Sequence, residues 1–210
     1  MSHTLGARQA QKQKTRRALL DAALGLLEEQ SLSSLGLREV TRAVGVAPTA
    51  FYRHFRSIED LGVALVEEAL GSLHPMIRTI VSTTGDGDER VARAVELIAG
   101  HVDAYPAHVR FIARERHGGV RVVRGAIREQ LALFAGEVGE ALASDPVSLG
   151  WEPEDLLMLA QLYVDQMLVT ASALLEAVGD GAGERERVVR DAVRRMRLIG
   201  IGRAHWVGGG

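Results

Sequence analysis

Four side chains near the middle of the N-terminal third, Thr49, Tyr52, Arg53 and Arg56, are spaced i, i+3, i+4 and i+7. A helix through them gathers a hydroxyl, a phenol and two guanidinium groups on one face. Such groups donate hydrogen bonds to phosphate oxygens and base edges, and a DNA major groove about 12 Å wide admits a single helix. Phe51 and Phe55, four residues apart, lie on a different face and are suited to burial. Thr49, Ala50 and Arg53 are the base-reading candidates, with Pro48 at the first turn. Tyr52, His54 and Arg56 suit phosphates, together with Arg38 and Thr41 or Arg42 on the preceding segment. Each residue alone also reads as an ordinary solvated side chain; the constellation points to nucleic acid.

Catalytic chemistry finds little to build on. The chain has no Cys, which removes disulfides, a thiolate nucleophile and Cys-based zinc sites. His101, Asp103, His108 and His117 are the candidates for a metal or acid–base site. His101 and His108 share a helical face only if the helix is unbroken, and Tyr105-Pro106 breaks it. No H-E-x-x-H, nucleophile elbow or phosphate-binding glycine loop occurs. A metal-dependent helical enzyme stays as the reading from a different class, with no catalytic or metal residue assigned.

The candidate DNA-reading face has to be positioned by its neighbours. Leu37, Val40 and Val44 mark one short helix, and Gly45 supplies the backbone freedom for a sharp reversal. Val46 plugs the angle, Pro48 fits the first turn of the next helix, and that helix starts near Thr49. Gly36 stands at the N-cap of the earlier helix and offers no side-chain cap. Ser57, followed by Ile58, Glu59 and Asp60, predicts the N-cap of a fourth helix with acids in its first turn. From Gln13 to Glu29 the apolar residues recur at helical spacing and predict a packing helix. Arg8, Lys12, Lys14, Arg16 and Arg17 form an acid-free stretch at its start, either a phosphate-reaching arm or a solubilising tail.

With Gly45, Val46, Phe51, Tyr52, His54 and Phe55 in place, this region resembles the TetR family of bacterial transcriptional regulators. The motif is G-V-x-x-x-x-[FL]-Y-x-H-F after an apolar-rich second helix. The segments KTRRALLDAAL, LREVTRAVGVAPTAFYRHFRSIEDLG and FIARERHGG are further similar to the FabR and DesT branch, repressors of unsaturated fatty acid synthesis. The resemblance implies an all-α, TetR-like fold of about nine helices. It also implies a palindromic double-stranded operator and control by a long-chain acyl-CoA or acyl-carrier protein as effector. Ligand then acts by population shift, with the sign of its effect open. A TetR-type repressor of an efflux or catabolic operon, responding to a drug-like apolar ligand, shares the DNA domain and is the alternative.

The rest of the chain agrees with that architecture. Residues 1–60 hold nine Lys or Arg against six acids, whereas residues 61–210 hold sixteen against twenty-one. The basic share thus sits with the helix-turn-helix, and the expected division is 1–56 for DNA binding and 57–210 for ligand binding and dimerisation. Pro75 is expected to bend or break the fourth helix near Leu73 or His74 on its way to Ser82. Turn-rich breaks then leave helices near 88–104, 106–115, 120–143, 154–178 and 184–204. No apolar run precedes Ala18 and no uncharged apolar stretch of about eighteen residues follows. A soluble cytoplasmic protein at the nucleoid, with no membrane partner and no cofactor, is expected.

The 154–178 helix is apolar nearly all round and has to be buried twice. With the last helix it offers Leu157, Val164, Leu168, Leu175, Val189, Val193 and Met196 either to a homodimer interface or to a monomer core. For the effector, Phe111, Ile127, Leu131, Phe134 and Met158 are candidate apolar lining, and core packing explains them equally well. Six arginines fall between Arg110 and Arg128 with Glu115 beside them. Arg114, Arg116 and Arg121 are the candidates for an effector phosphate, against solvated faces or ion pairs to the DNA domain.

Overall fold

The computed structural model describes residues 2–82, 86–179 and 181–205, with side chains left out at 2–7 and 204. All regular structure in these residues is helical, as expected: α1 (Ser2–Leu26), α2 (Leu37–Val44), α3 (Pro48–Phe51), α4 (Ile58–Gly71), α5 (His74–Ser82), α6 (Gly87–Ala104), α7 (Pro106–Glu115), α8 (Arg121–Ala143), α9 (Pro153–Glu176) and α10 (Ala182–Ala204). Two single 3-10 turns, Pro146–Ser148 and Ala177–Gly179, complete it. The fourth helix is interrupted at residues 72 and 73, and Pro75 stands in the first turn of α5, where its missing N–H removes no ladder bond. Counting α4 and α5 as one interrupted helix gives the expected nine. The expected breaks at TTGDGD and GDGAGE fall in part on residues 83–85 and 180, outside the described residues.

Two elements differ from expectation. Helix α1 begins at Ser2 rather than near Gln13, because the basic stretch is also rich in Ala, Gln, Lys and Arg, which are good helix formers. Helix α3 is a single turn. Beyond Phe51 the chain tightens, with Arg53 N–H donating to Ala50 C=O (3.3 Å) and His54 N–H to Phe51 C=O (2.8 Å).

Compactness divides the chain into one unit of Met1–Ala69 with Arg110–Ile127 and a second of Leu70–Val109 with Arg128–Gly210. The first compact unit takes in the end of α7 and the start of α8. This mid-chain segment contributes the buried Phe111, Ile112, Val123 and Ile127 to the unit that holds Leu19, Leu20, Val40, Phe51 and Leu65. Pairings more than eighty residues apart leave no local pattern to read.

In the second unit α9 and α10 pack on each other and both on α6. Ala99, Val102, Val109, Ala171 and Leu174 form a buried cluster that Leu175, Val188 and Val189 cover. Asp145 ties α6 to α10: it accepts from Arg90 (2.9 Å) and pairs with the buried Arg203 (3.3 Å), which also donates to Ser148 Oγ. By length and composition α9 and the turn after it could cross a membrane, although Asp165 sits in its middle.

Candidate nucleic-acid interface

Local chemistry sets the helix-turn-helix residue by residue. Gly36 caps α2 with extended backbone and no side-chain bond. At the other end Gly45 adopts φ +74°, and Val46 N–H reaches back to Thr41 C=O (3.0 Å) while Gly45 N–H binds Arg42 C=O (3.1 Å). This left-handed stop reverses the chain at no Cβ cost. Pro48 then opens α3. Ser57 Oγ accepts from Asp60 N–H (3.3 Å), and Asp60 Oδ2 in turn accepts from Arg56 N–H (2.9 Å), so the predicted cap of α4 is present in reciprocal form. The Ser57 hydroxyl also holds the Glu59 carboxyl below its usual range.

Burial selects the reading face. Phe51 and Phe55 are buried with ring centroids 5.5 Å apart, beside Val40. Pro48, Thr49, Tyr52, Arg53 and Arg56 are exposed, Tyr52 by 63%, and Ala50 is half-buried. Arg38 and Arg42 are exposed on α2. Thr41 is a correction to the phosphate set: it is 2% exposed, and its hydroxyl donates to the Leu37 and Arg38 carbonyls, so it packs the hairpin instead of presenting a donor.

His54 is half-buried and its Nδ1 has no hydrogen-bond partner. Burial first, and then the charges of Lys12, Arg16 and Arg53, hold its imidazole below the usual histidine range. The same three cations create positive potential beside the reading face. Arg16 lies with its guanidinium 5.1 Å over the Phe55 ring, while Arg17 pairs with Asp21 and Glu68, each at 2.9 Å. Of the basic stretch, Lys12 and Arg16 are thus placed by the fold next to the hairpin.

The candidate effector residues divide between the units. Phe111, Arg114, Arg116, Arg121 and Ile127 fall in the first and Leu131, Phe134 and Met158 in the second. Phe111, Ile127 and Phe134 are buried, Leu131 is half-buried and Met158 is exposed. The Arg114 guanidinium donates to the carbonyls of Leu27 (2.8 Å), Glu28 (3.2 Å) and Gln30 (2.6 Å). Beside it Arg110 pairs with Glu28 (3.1 Å) and Arg124 donates to Gly118 C=O. Sequence reasoning assigned no role to Glu115, which is 1% exposed and accepts from Leu32 N–H at 2.9 Å. The available signal was a lone acid amid six arginines.

Among the dimerisation candidates, Met196 is buried within the protomer, and Leu175 and Val189 cover its internal cluster. Val164, Leu168 and Val193 are half-buried and Leu157 is exposed. Leu162 and Val169 on α9, seven residues apart, and Leu198 and Ile201 on α10 are exposed apolar residues that periodicity had not singled out. His101 and His108 both approach the Tyr105 ring (5.0 and 5.9 Å), and burial followed by the charge of His108 keeps His101 below the histidine range. Among the described residues no group of three or more His, Asp or Glu is arranged to hold a metal ion.

Solved structures share this fold over nearly the whole chain. The fatty acid degradation regulator FadR from Bacillus halodurans superposes with a TM-score of 0.67 at 16% identity, covering 93% of this chain and 97% of that one. FadR from Bacillus subtilis in complex with stearoyl-CoA gives 0.65 at 15% identity, with 91% and 99% covered. AibR in complex with isovaleryl coenzyme A and operator DNA gives 0.64 at 17% identity, with 86% and 96% covered. At such identities the likeness is one of fold. Residues 19–65, which span the hairpin and the helices that brace it, match the model of the bacterial regulatory proteins of the tetR family. The helix-turn-helix segment of this chain is therefore similar to that of the tetR-family regulatory proteins, and it is carried on a fold that the solved regulators share.

Proposed function

We propose that the protein is a homodimeric repressor in the cytoplasm, whose affinity for a palindromic operator is set by a long-chain fatty acyl thioester and which controls genes of lipid metabolism. The observation that carries the DNA half is the exposed set Thr49, Tyr52, Arg53 and Arg56 over a buried Phe51–Phe55 pair, with Lys12 and Arg16 beside it. Arg38 and Arg42 supply phosphate contacts from α2.

Dimerisation is supported by the exposed apolar residues of α9 and α10, Leu157, Leu162, Val169, Leu198 and Ile201, which a second copy would cover. The thioester half is supported by the acyl-coenzyme A complexes among proteins of the same fold. In this chain Leu131, Phe134 and Met158 would meet the acyl chain.

Fluorescence anisotropy on the DNA upstream of the gene, at fixed salt, tests both halves. Saturated and cis-unsaturated long-chain acyl-CoA are added in turn. A change of operator affinity that depends on the acyl chain is the expected result and sets the sign of the response. Tight binding indifferent to every acyl thioester moves the effector to the drug-like class.

A further inference from the structure

Helix α1 ends at Leu26 and the chain tightens beyond it, with Leu27, Glu28 and Glu29 N–H donating to the Ala23, Gly25 and Leu26 carbonyls. The carbonyls that follow take their donors from α7, where one guanidinium, that of Arg114, reaches those of Leu27, Glu28 and Gln30. The next residue, Glu115, turns inward and accepts from Leu32 N–H.

Leu32 is itself buried, and it leads through the turn that Leu35 N–H closes on its carbonyl (3.2 Å) to Gly36, the cap of α2. Two glycines allow this close fit. A Cβ on Gly62 would collide with Leu32 and Val123 side chains, and one on Gly118 would collide with the Glu115 carboxylate. All these residues belong to the first unit.

Burying a carboxyl with one oxygen unpartnered, as Glu115 Oε2 is, carries a desolvation cost that an apolar side chain would avoid. Its remaining oxygen is spent on a single backbone N–H five residues before α2 begins. We infer that Glu115 is a positioning residue for operator binding: through Leu32 N–H it fixes where α2 starts, and with it the presentation of Tyr52 and Arg53, while Arg114 holds the chain just past α1 from mid-chain. The helix-turn-helix is thus not set by residues 1–69 alone. This inference rests on the DNA-binding reading above.

The test compares full-length Glu115→Gln and Glu115→Leu by operator anisotropy, with the active fraction counted by stoichiometric titration and Leu32 amide exchange followed in parallel. Glutamine keeps an accepting oxygen; leucine removes it. Glu115→Gln is expected to stay within about threefold of the parent affinity, and Glu115→Leu to bind about tenfold more weakly per folded molecule with faster exchange at Leu32. A folded Glu115→Leu with unchanged affinity overturns the inference, as does an equal loss in both variants. Should Glu115→Leu fail to fold, Gly118→Ala takes its place, since its methyl displaces the carboxylate: weaker binding with faster Leu32 exchange supports the inference, and unchanged affinity overturns it. If the unaltered protein binds no upstream DNA, the DNA reading falls separately, and unchanged Leu32 exchange in a folded Glu115→Leu would still overturn the Glu115 contact.

Discussion

Tyr52 and Arg53 occupy exposed turn positions, Tyr52 with only an edge contact to the Phe51 ring (5.9 Å), so their removal chiefly tests a contact with DNA. Tyr52→Ala and Arg53→Ala are expected to leave helicity and melting unchanged and to weaken operator binding. Where a phosphate contact is lost, the slope of log affinity against log salt becomes shallower by about one; an unchanged slope and affinity removes that residue from the reading face. Asp145 shows the opposite economy, a side chain that holds structure. Burial pushes its carboxyl up, but the Val147 N–H and the charges of Arg203 and Arg90 prevail and hold it below the usual aspartate range. A carboxyl depressed in the folded state stabilises above its unfolded pKa and loses that contribution as pH falls through the folded value. Asp145→Asn should therefore cost about 2 kcal/mol near neutral pH, less than a fully buried pair because some exposure remains. The difference from the parent should shrink below about pH 4. Urea unfolding at the two pH values measures it, and a gap that persists unchanged in acid contradicts the assignment.

At the scale of elements, the two glycines that bound α2 make opposite demands. Gly45 is left-handed with open space around its Cβ position, so Gly45→Ala meets no neighbour and costs only backbone strain, about 1–2 kcal/mol. Gly36 has φ −96° and ψ 139°, which any residue adopts, and open space as well. Gly36→Ser adds the missing hydroxyl cap and is expected to raise stability by about 0.5 kcal/mol. Thermal melts of the two variants should move in opposite directions. A common direction would mean that the ends of α2 are set by something other than backbone conformation and capping.

For the whole molecule the question is what covers α9. Only 28% of its most apolar window is buried inside the protomer, and Leu162 and Val169 lie exposed on it at helical spacing. Leu162→Arg with Val169→Arg leaves the protomer core untouched. It is expected to yield a folded monomer by sedimentation and to weaken operator binding about a hundredfold, the scale on which a second linked site contributes. A dimer-bound operator has half-sites about 34–36 Å apart, one turn of DNA. A double variant that sediments as the parent does removes this face of α9 as a dimer interface.

Local chemistry by itself determined the helices and the reading face. Ser57, Pro48, Gly45 and Pro75 act on their own backbone or within four residues, so caps, turn and break could be placed from spacing, as could the burial of Phe51 and Phe55 beneath exposed Tyr52 and Arg53. Only tertiary structure decided the fate of Thr41, whose burial depends on how α2 packs, and of Arg114 and Glu115, whose partners lie more than eighty residues away. Arg114 had every attribute of a phosphate ligand. A guanidinium takes the nearest well-placed acceptors, and folding brings the carbonyls just past α1 to it before any ligand arrives.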